Sequence, residues 1–294
     1  MPNRHPLADD QAYRAWRASK LAHYPEDLSR LRVKVARLSE PTRTEIAAIA
    51  ERLAKCNMAL IDCENPRQVT PSALLRFGHH LGLRRTDSPL NAGTDAVSQL
   101  KVEGGGAAGD YIPYTNRPLS WHTDGYYNTP SRAVRSWMLF CVQDAVDGGE
   151  NALLDPEIAY LRLRDQNPEL IATLMAPDVL TIPANVEGGR TLREVAVGPV
   201  FSWPEGRLHM RYTARKQHVR WAPGTTVEVA RDALTRLFSH GDTFMYRHKL
   251  KPGEGYVTHN VLHNRSGFEN PAGAGRERVL LRVRYLDRVA AEFR

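Results

Sequence analysis

The stretch SWHTDGYY, residues 120–127, sets an imidazole and a carboxylate two residues apart, at His122 and Asp124. In a strand, residues i and i+2 point to the same face, so these two side chains can converge on one point. A second imidazole from a distant segment would complete the two-histidine, one-carboxylate face that suits Fe(II) and leaves coordination positions open. Taken alone, the pair also fits a strand-end histidine followed by a turn aspartate. The segment KPGEGYVTHNVLHNRSGF, residues 251–268, supplies two candidates for the distant donor, His259 and His263. The Lys251-Pro252-Gly253 turn puts both on the following strand or at its end. Spacing does not choose between them.

A second pattern lies in RERVLLRVRYLDR near the C-terminal end. Read as a strand, it puts Arg278, Leu280, Arg282 and Arg284 on one face and Val279, Leu281, Val283 and Tyr285 on the other. A solvated edge strand explains such a row. So does a strand whose arginines point into a barrel mouth and pair with a carboxylate in the bidentate geometry that guanidinium offers.

The elements that must position these residues fall into two textures. Residues 8–38 carry helical spacing and then a short strand. Thr42 is a plausible N-cap for an amphipathic helix in EPTRTEIAAIAERLAK. MALIDC is a buried strand, and Thr70 or Ser72 caps a helix that stops at Gly82. After residue 95, short strand-like runs alternate with Gly, Pro and Asn turns: VSQLKV, VRSWMLFCV, VLTIPA, RLHMRY, YRHKL, GYVTHNVL and RVLLRVRYL. Two helical inserts interrupt them, DPEIAYLRLRDQNPELIATLM and TVEVARDALTRLFSH. This pattern favours a sandwich or barrel with helices packed outside.

Composition narrows the rest. The 294 residues suit one large domain. No apolar run approaches the roughly 20 residues of a membrane span, and the N-terminus shows no apolar signal region, so no membrane association is expected. The three cysteines, Cys56, Cys63 and Cys141, form neither a disulfide framework nor a CxxC pair, which favours a reducing cytoplasm. The net charge of +7 is spread along the chain without a basic tract interleaved with aromatics, so no nucleic-acid partner is expected. A homo-oligomer is compatible with the sequence.

A His-x-Asp pair, a distant histidine and then an arginine-bearing strand, in that order, resemble the Fe(II)/2-oxoglutarate-dependent dioxygenases of the TauD/TfdA (taurine dioxygenase-like) family. The resemblance is nearest the branch of gamma-butyrobetaine and trimethyllysine hydroxylases. It runs from about Tyr111 to Asp287, with a weaker echo over 41–82. YTNRPLSWHTDGYY, CVQDAVDGGENALLD and KLKPGEGYVTHNVLHNRSGF are each similar to a family segment. The resemblance implies an α+β, mainly β fold: a double-stranded β-helix, or jelly roll, with flanking helices. Residues 1–40 would form an N-terminal extension of helix plus short strand, and 41–294 the dioxygenase domain.

The family's third ligand lies in Leu-His-x-Arg-x-x-Phe, which here begins at Leu262. The resemblance therefore implies His122, Asp124 and His263 as iron ligands, with His259 in another role. It implies Arg278 as the residue holding the distal carboxylate of 2-oxoglutarate, with Arg276 as a second candidate. Asn151 stands where relatives carry Thr or Ser against the same carboxylate, and an amide also donates hydrogen bonds. The implied cofactor is Fe(II), with 2-oxoglutarate and O2 as co-substrates. The implied reaction oxidises a small molecule, amino-acid-like or anionic, while 2-oxoglutarate yields succinate and CO2. Related halogenases carry a small residue in place of Asp124, so its presence points to hydroxylation or desaturation. A barrel of the same build that binds a metal or ligand without turnover, as a sensor or carrier, is the alternative.

For the substrate, Tyr114 stands where trimethylammonium-binding relatives place one tyrosine of a cation–π cage. Gly125 replaces an aromatic residue of that cage, with Tyr126 and Tyr127 following it. Arg282 lies four residues after Arg278, the spacing at which taurine dioxygenase carries its sulfonate-binding arginine. Arg282, with Arg211 from RLHMRYTARKQ, is therefore expected either to meet an anionic group on the substrate or to form an ion pair with an acidic side chain.

Overall fold

A computed structural model describes residues 9–87, 96–102, 111–215, 217, 219–270 and 277–290. The elements that frame the site run, in chain order, α1 (Asp10–Leu21), β1 (Arg32–Val35), α2 (Arg43–Cys56), β2 (Met58–Cys63), α3 (Pro71–His80), β3 (Val97–Leu100), β4 (Leu119–His122), β5 (Ser136–Gln143), β6 (Asn151–Leu154), α4 (Pro156–Gln166), α5 (Pro168–Leu174), α6 (Thr225–His240), β7 (Tyr246–His248), β8 (Glu254–Thr258), β9 (Leu262–Arg265) and β10 (Val279–Tyr285). A six-stranded sheet has the order β1-β2-β8-β5-β10-β3, and a four-stranded sheet the order β7-β6-β9-β4. This is the jelly-roll arrangement with flanking helices that the motifs imply.

Period-two alternation divides the larger sheet's side chains between two cores. Leu60, Leu139, Cys141, Tyr256 and Leu280 join the apolar cluster that contains Trp121, Leu153 and Leu262 of the smaller sheet. Their neighbours Ile61, Met138, Phe140, Val257, Leu281, Val283 and Tyr285 pack with Ile49 and Leu53 of α2 and Leu74 and Phe77 of α3. Both faces are covered, which is why MALIDC reads as a continuous apolar run. Helix α3 lies so close that a Cβ on Gly78 would collide with the Tyr285 hydroxyl.

Local chemistry sets the ends of the helices. At α2, Thr42 and Glu45 form a capping box, with Glu45 N donating to Thr42 Oγ1 at 3.2 Å and Thr42 N to the Glu45 carboxylate at 2.6 Å. Thr70 rather than Ser72 caps α3. The chain then turns at Gly82, φ +78°. The first insert, expected as one helical stretch, is two helices. Pro168 lacks the N–H that would continue α4, and Asn167 is extended and caps α5 through Glu169 N at 2.9 Å. The run GYVTHNVL is likewise not one strand. β8 ends at Thr258, Asn260 adopts φ +55°, and the chain re-enters as β9 in the other sheet.

The residues assigned to the N-terminal extension are woven into this body. β1 pairs parallel with β2 at the edge of the larger sheet. From α1, Tyr13 donates to Asp165 at 2.7 Å, and buried Lys20 meets Asp155 at 2.7 Å and Glu157 at 2.5 Å.

Glu254 at the start of β8 ties both sheets together. Arg32 of β1 reaches Oε1 at 2.7 Å, while His248 of β7 and the Lys251 N–H reach Oε2 at 2.6 and 2.9 Å. Burial alone would raise this carboxyl's pKa, but those hydrogen bonds outweigh it and bring it down to about 2, from an ordinary 4.5. The unfolded chain therefore binds the extra proton between these values. The stabilisation is complete above about 4.5 and is lost as the pH falls towards 2. Glu254→Gln is expected to cost on the order of 2 kcal/mol at pH 7. Urea midpoints should show the gap to wild type closing as the pH falls from 5 to about 2.5; a gap independent of pH contradicts this assignment.

Candidate metal centre

Strands β4 and β9 run antiparallel with His263 directly opposite His122. Opposed residues in such a pair bring their Cβ atoms within about 5 Å, and the two ring centroids lie 4.2 Å apart. His122 Nδ1 is 2.8 Å from the Ser120 carbonyl, and His263 Nδ1 is 3.0 Å from the Val261 carbonyl. A carbonyl only accepts, so each Nδ1 carries the proton and each Nε2 presents a lone pair. Asp124, just past the end of β4, brings Oδ1 to 3.6 Å from His122 Nε2. One ligand atom from each of the three residues lies within 4.8 Å of the others, and all three residues are buried.

The electrostatics fit a divalent cation. Asp124 Oδ2 is buried with no hydrogen-bond partner among the described residues, a costly state for a carboxylate oxygen unless a cation meets it. Burial would raise the Asp124 pKa, but the charge of Arg282, with the His122 ring beside it, holds it well below the carboxylate range. Burial, and next the His122 ring, push the His263 pKa down to about 3, so this ligand is neutral at physiological pH. Trp137 covers the His263 ring at 4.6 Å between centroids, and Tyr126 stands edge-on to His122 at 6.4 Å.

The backbone behind Asp124 is held by groups that the sequence motifs did not single out. Asn260 Oδ1 accepts from Asp124 N at 2.8 Å, and its Nδ2 donates to the carbonyls of Asp124 at 3.0 Å and Val134 at 2.8 Å. Thr123 N donates to the Tyr212 carbonyl at 2.9 Å, and Tyr212 N returns a bond to Thr123 Oγ1 at 3.1 Å. An asparagine beside the break between two strand patterns, tolerant of positive φ, was the available signal. Gly125 has a backbone reason to be glycine. It adopts φ +67°, and a Cβ there would collide with Val134.

Arg278 is buried, with its guanidinium 4.8 Å over the Phe268 ring and no carboxylate paired to it among the described residues. Burial lowers its pKa to about 10. Gly149 leaves space beside it, since a Cβ there would come within 3.2 Å of Arg278 Nε. Asn151 uses one N–H on the Asn264 carbonyl at 3.1 Å, and its Oδ1 is buried without a partner among the described residues. Arg265, which the motifs named only as part of a pattern, covers the same Phe268 ring at 4.9 Å and donates to the Thr115 carbonyl at 2.8 Å. Arg276 lies outside the described residues.

The remaining candidates divide. His259 is not in the cluster; its Nδ1 is 3.2 Å from Asn57 Oδ1. Tyr114 is buried in the larger apolar cluster. Arg211 is not free to meet a substrate anion, contrary to expectation. Its guanidinium donates to the carbonyls of Gly198 at 2.8 Å and Tyr126 at 3.2 Å, and also to that of Leu180, because these buried carbonyls have to be satisfied. For Arg282 the ion-pair alternative is the one formed: Nη1 lies 3.4 Å from Asp124 Oδ1. Arg284 pairs with Asp87 at 2.8 Å and donates to the Tyr127 hydroxyl at 2.6 Å.

Two facing sheets with a two-histidine, one-carboxylate cluster between them define a barrel of the mononuclear non-haem iron class. The sequence model of the family described as "Taurine catabolism dioxygenase TauD, TfdA family" matches residues 21–284, and the chain belongs to that family. It is 29% identical over 168 residues to a uridine-5'-phosphate dioxygenase of Amycolatopsis sp, covering 54% of this chain and 58% of that one. A uridine-5'-phosphate dioxygenase of Streptomyces sp is 30% identical over 127 residues, 42% of this chain and 44% of the other. The chain thus spans about half the length of the curated relatives it matches. Among solved structures, asparagine oxygenase with Fe(II), 3-hydroxyasparagine and succinate superposes with a TM-score of 0.60 at 15% identity, over 83% of this chain and 78% of that one. The non-haem iron oxygenase OrfP with Fe and alpha-ketoglutaric acid gives 0.59 at 17% identity, over 85% and 86%. These two likenesses are of fold.

Asn260→Gly keeps the positive φ and removes the amide that holds Asp124. Fe(II) affinity, measured by anaerobic calorimetry, is expected to fall about 10- to 100-fold. Unchanged affinity would mean that Asp124 is positioned without this clamp.

Proposed function

We propose that this protein is an Fe(II)- and 2-oxoglutarate-dependent oxygenase that hydroxylates or desaturates a small polar metabolite, with release of succinate and CO2. The observation that carries the reading is the convergence of two imidazole lone pairs and an orphaned carboxylate oxygen at His122, His263 and Asp124. Three ligands on one side leave the remaining positions of an iron site open, the arrangement that non-haem oxygenases need. When bound, the iron supplies the activation of O2 that no side chain can perform. The chain's own groups bind and orient. Arg278 would hold the distal carboxylate of 2-oxoglutarate, helped by the second N–H of Asn151. Arg282 holds the charge of Asp124 in place, while Trp137 and Tyr126 keep the histidine pair dry.

Tyr114 and Tyr126 are proposed to line the substrate space. The curated relatives act, by name, on uridine 5'-phosphate, which supports a small phosphate-bearing metabolite as the substrate class to try first. The three free, buried cysteines suit a reducing compartment, and the cytoplasm is the compartment proposed.

Anaerobic addition of Fe(II) and 2-oxoglutarate is expected to give a weak visible charge-transfer band, and O2 to give succinate. Arg278→Ala should raise the KM for 2-oxoglutarate about 10- to 100-fold, the loss of a charge-assisted hydrogen bond, with Fe(II) affinity unchanged. His263→Ala should abolish both band and turnover. No band together with no succinate contradicts the reading.

A further inference from the structure

The turn that follows the metal ligand Asp124 carries two aromatic residues outward from the site. It is closed by Asn128 N on the Gly125 carbonyl at 2.8 Å and holds Tyr126 and Tyr127. Tyr126 stands edge-on to His122 at 6.4 Å between centroids, and Tyr127 edge-on to Tyr126 at 5.1 Å. The Arg193 guanidinium lies over the Tyr127 ring, 5.2 Å from its centroid. A continuous run of ring contacts thus joins this cation to the metal centre.

Arg193 reaches the tyrosines from a hairpin made of Asn185–Glu187 and Arg190–Arg193, which forms a two-stranded sheet of its own. The register shifts between Thr191 and Arg193, and this irregularity sets Arg193 opposite Asn185. Cross-strand partners share a face. Both of these side chains meet tyrosines: Asn185 Nδ2 donates to the Tyr111 hydroxyl at 3.5 Å, and Arg193 covers Tyr127. One face of the hairpin is therefore directed at the tyrosine cluster beside the iron ligands.

The arginines that meet this cluster differ in how their charge is answered. Arg284 donates to the Tyr127 hydroxyl at 2.6 Å and pairs with Asp87 at 2.8 Å. Arg211 donates to the Tyr126 carbonyl at 3.2 Å and is spent on backbone oxygens. Arg193 is half-buried and meets no carboxylate among the described residues. Its Nη2 donates to the Pro183 carbonyl at 3.1 Å. Burial lowers its pKa, and the neighbouring Tyr126, Tyr127 and Tyr111 act in the other direction. A ring face is a weaker partner for a guanidinium than an oxyanion, which accepts two parallel N–H bonds from it.

We propose that Arg193 is the receptor for an anionic group, phosphoryl or carboxylate, on the small-molecule substrate, and that it leaves the Tyr127 ring to meet that group. The inference rests on the oxygenase reading and deepens it by assigning the residue that selects a charged substrate. An anion held there directs the rest of the substrate along Tyr126 towards His122. Arg193 takes the part expected of Arg211 and Arg282, which are engaged with carbonyls and with Asp124.

The test measures succinate formation by the iron-loaded enzyme with matched charged and neutral compounds: uridine 5'-phosphate against uridine, and L-aspartate against L-asparagine. The anionic member of one pair is expected to stimulate turnover more than its neutral partner, and the pair that responds tells phosphoryl from carboxylate. Arg193→Gln should raise the KM for that anion about 10-fold or more while lowering kcat far less. Arg193→Lys, which keeps the charge and loses the fork, should fall between Gln and wild type. A side chain that served only to pack the hairpin would be replaced no better by Lys than by Gln. An unchanged KM in Arg193→Gln, equal losses in Gln and Lys, or no preference for either anion overturns the proposal. The charge-transfer band of wild-type enzyme with Fe(II) and 2-oxoglutarate keeps the two readings apart. With the band present, any of these results removes Arg193 alone; without it, the oxygenase reading itself fails.

Discussion

The antiparallel register that sets His263 opposite His122 is the constraint on which the rest of the structure depends. Side chains alternate faces along a strand, so a slip of one residue between β4 and β9 would turn one imidazole out of the barrel and dissolve the site. The register is secured on both flanks. β9 also pairs with β6, residue for residue, from Leu262 against Leu154 to Arg265 against Asn151. Leu153, paired with His263 and so on the same face of the sheet, is buried in the apolar core. The hydrophobic pattern thus positions the metal ligands as a by-product of burying leucines.

The switch between sheets at Asn260 is the second half of the same device. Leaving β8 in the larger sheet and entering β9 in the smaller one requires a sharp reversal, which Asn260 makes at positive φ. Its amide then reaches three backbone groups around Asp124 and Val134. One residue closes the corner of the barrel and fixes the carboxylate donor. Buried charge around it is managed in pairs: Arg282 with Asp124, Arg284 with Asp87, Lys20 with Asp155 and Glu157. In such pairs, loss of one partner leaves a stranded charge and costs several kcal/mol. Among the described residues, Arg278 stands outside that pairing.

Much of this was legible in the sequence where local chemistry decides. The Thr42 cap, the stop at Gly82, the buried MALIDC strand and the two-faced arginine strand all follow from short-range pattern. The spacing of His122 and Asp124 showed that they could converge. The choice of His263 over His259 came from family resemblance, because pattern alone cannot say where a run such as GYVTHNVL breaks between two sheets. The single helix expected over residues 155–175 ignored how completely Asn167-Pro168 ends one helix and caps the next. Arg211 looked free because unsatisfied carbonyls from distant segments are invisible in sequence. Gly125 looked like a missing cage residue, whereas the turn after Asp124 requires its positive φ and the approach of Val134.

The most direct test is where the metal sits. Crystals grown anaerobically with Fe(II) should give, at the iron absorption edge, one strong anomalous peak about 2.1 Å from Nε2 of His122, Nε2 of His263 and a carboxylate oxygen of Asp124. A peak ligated by His259, or none at the triad under saturating Fe(II), would contradict the account.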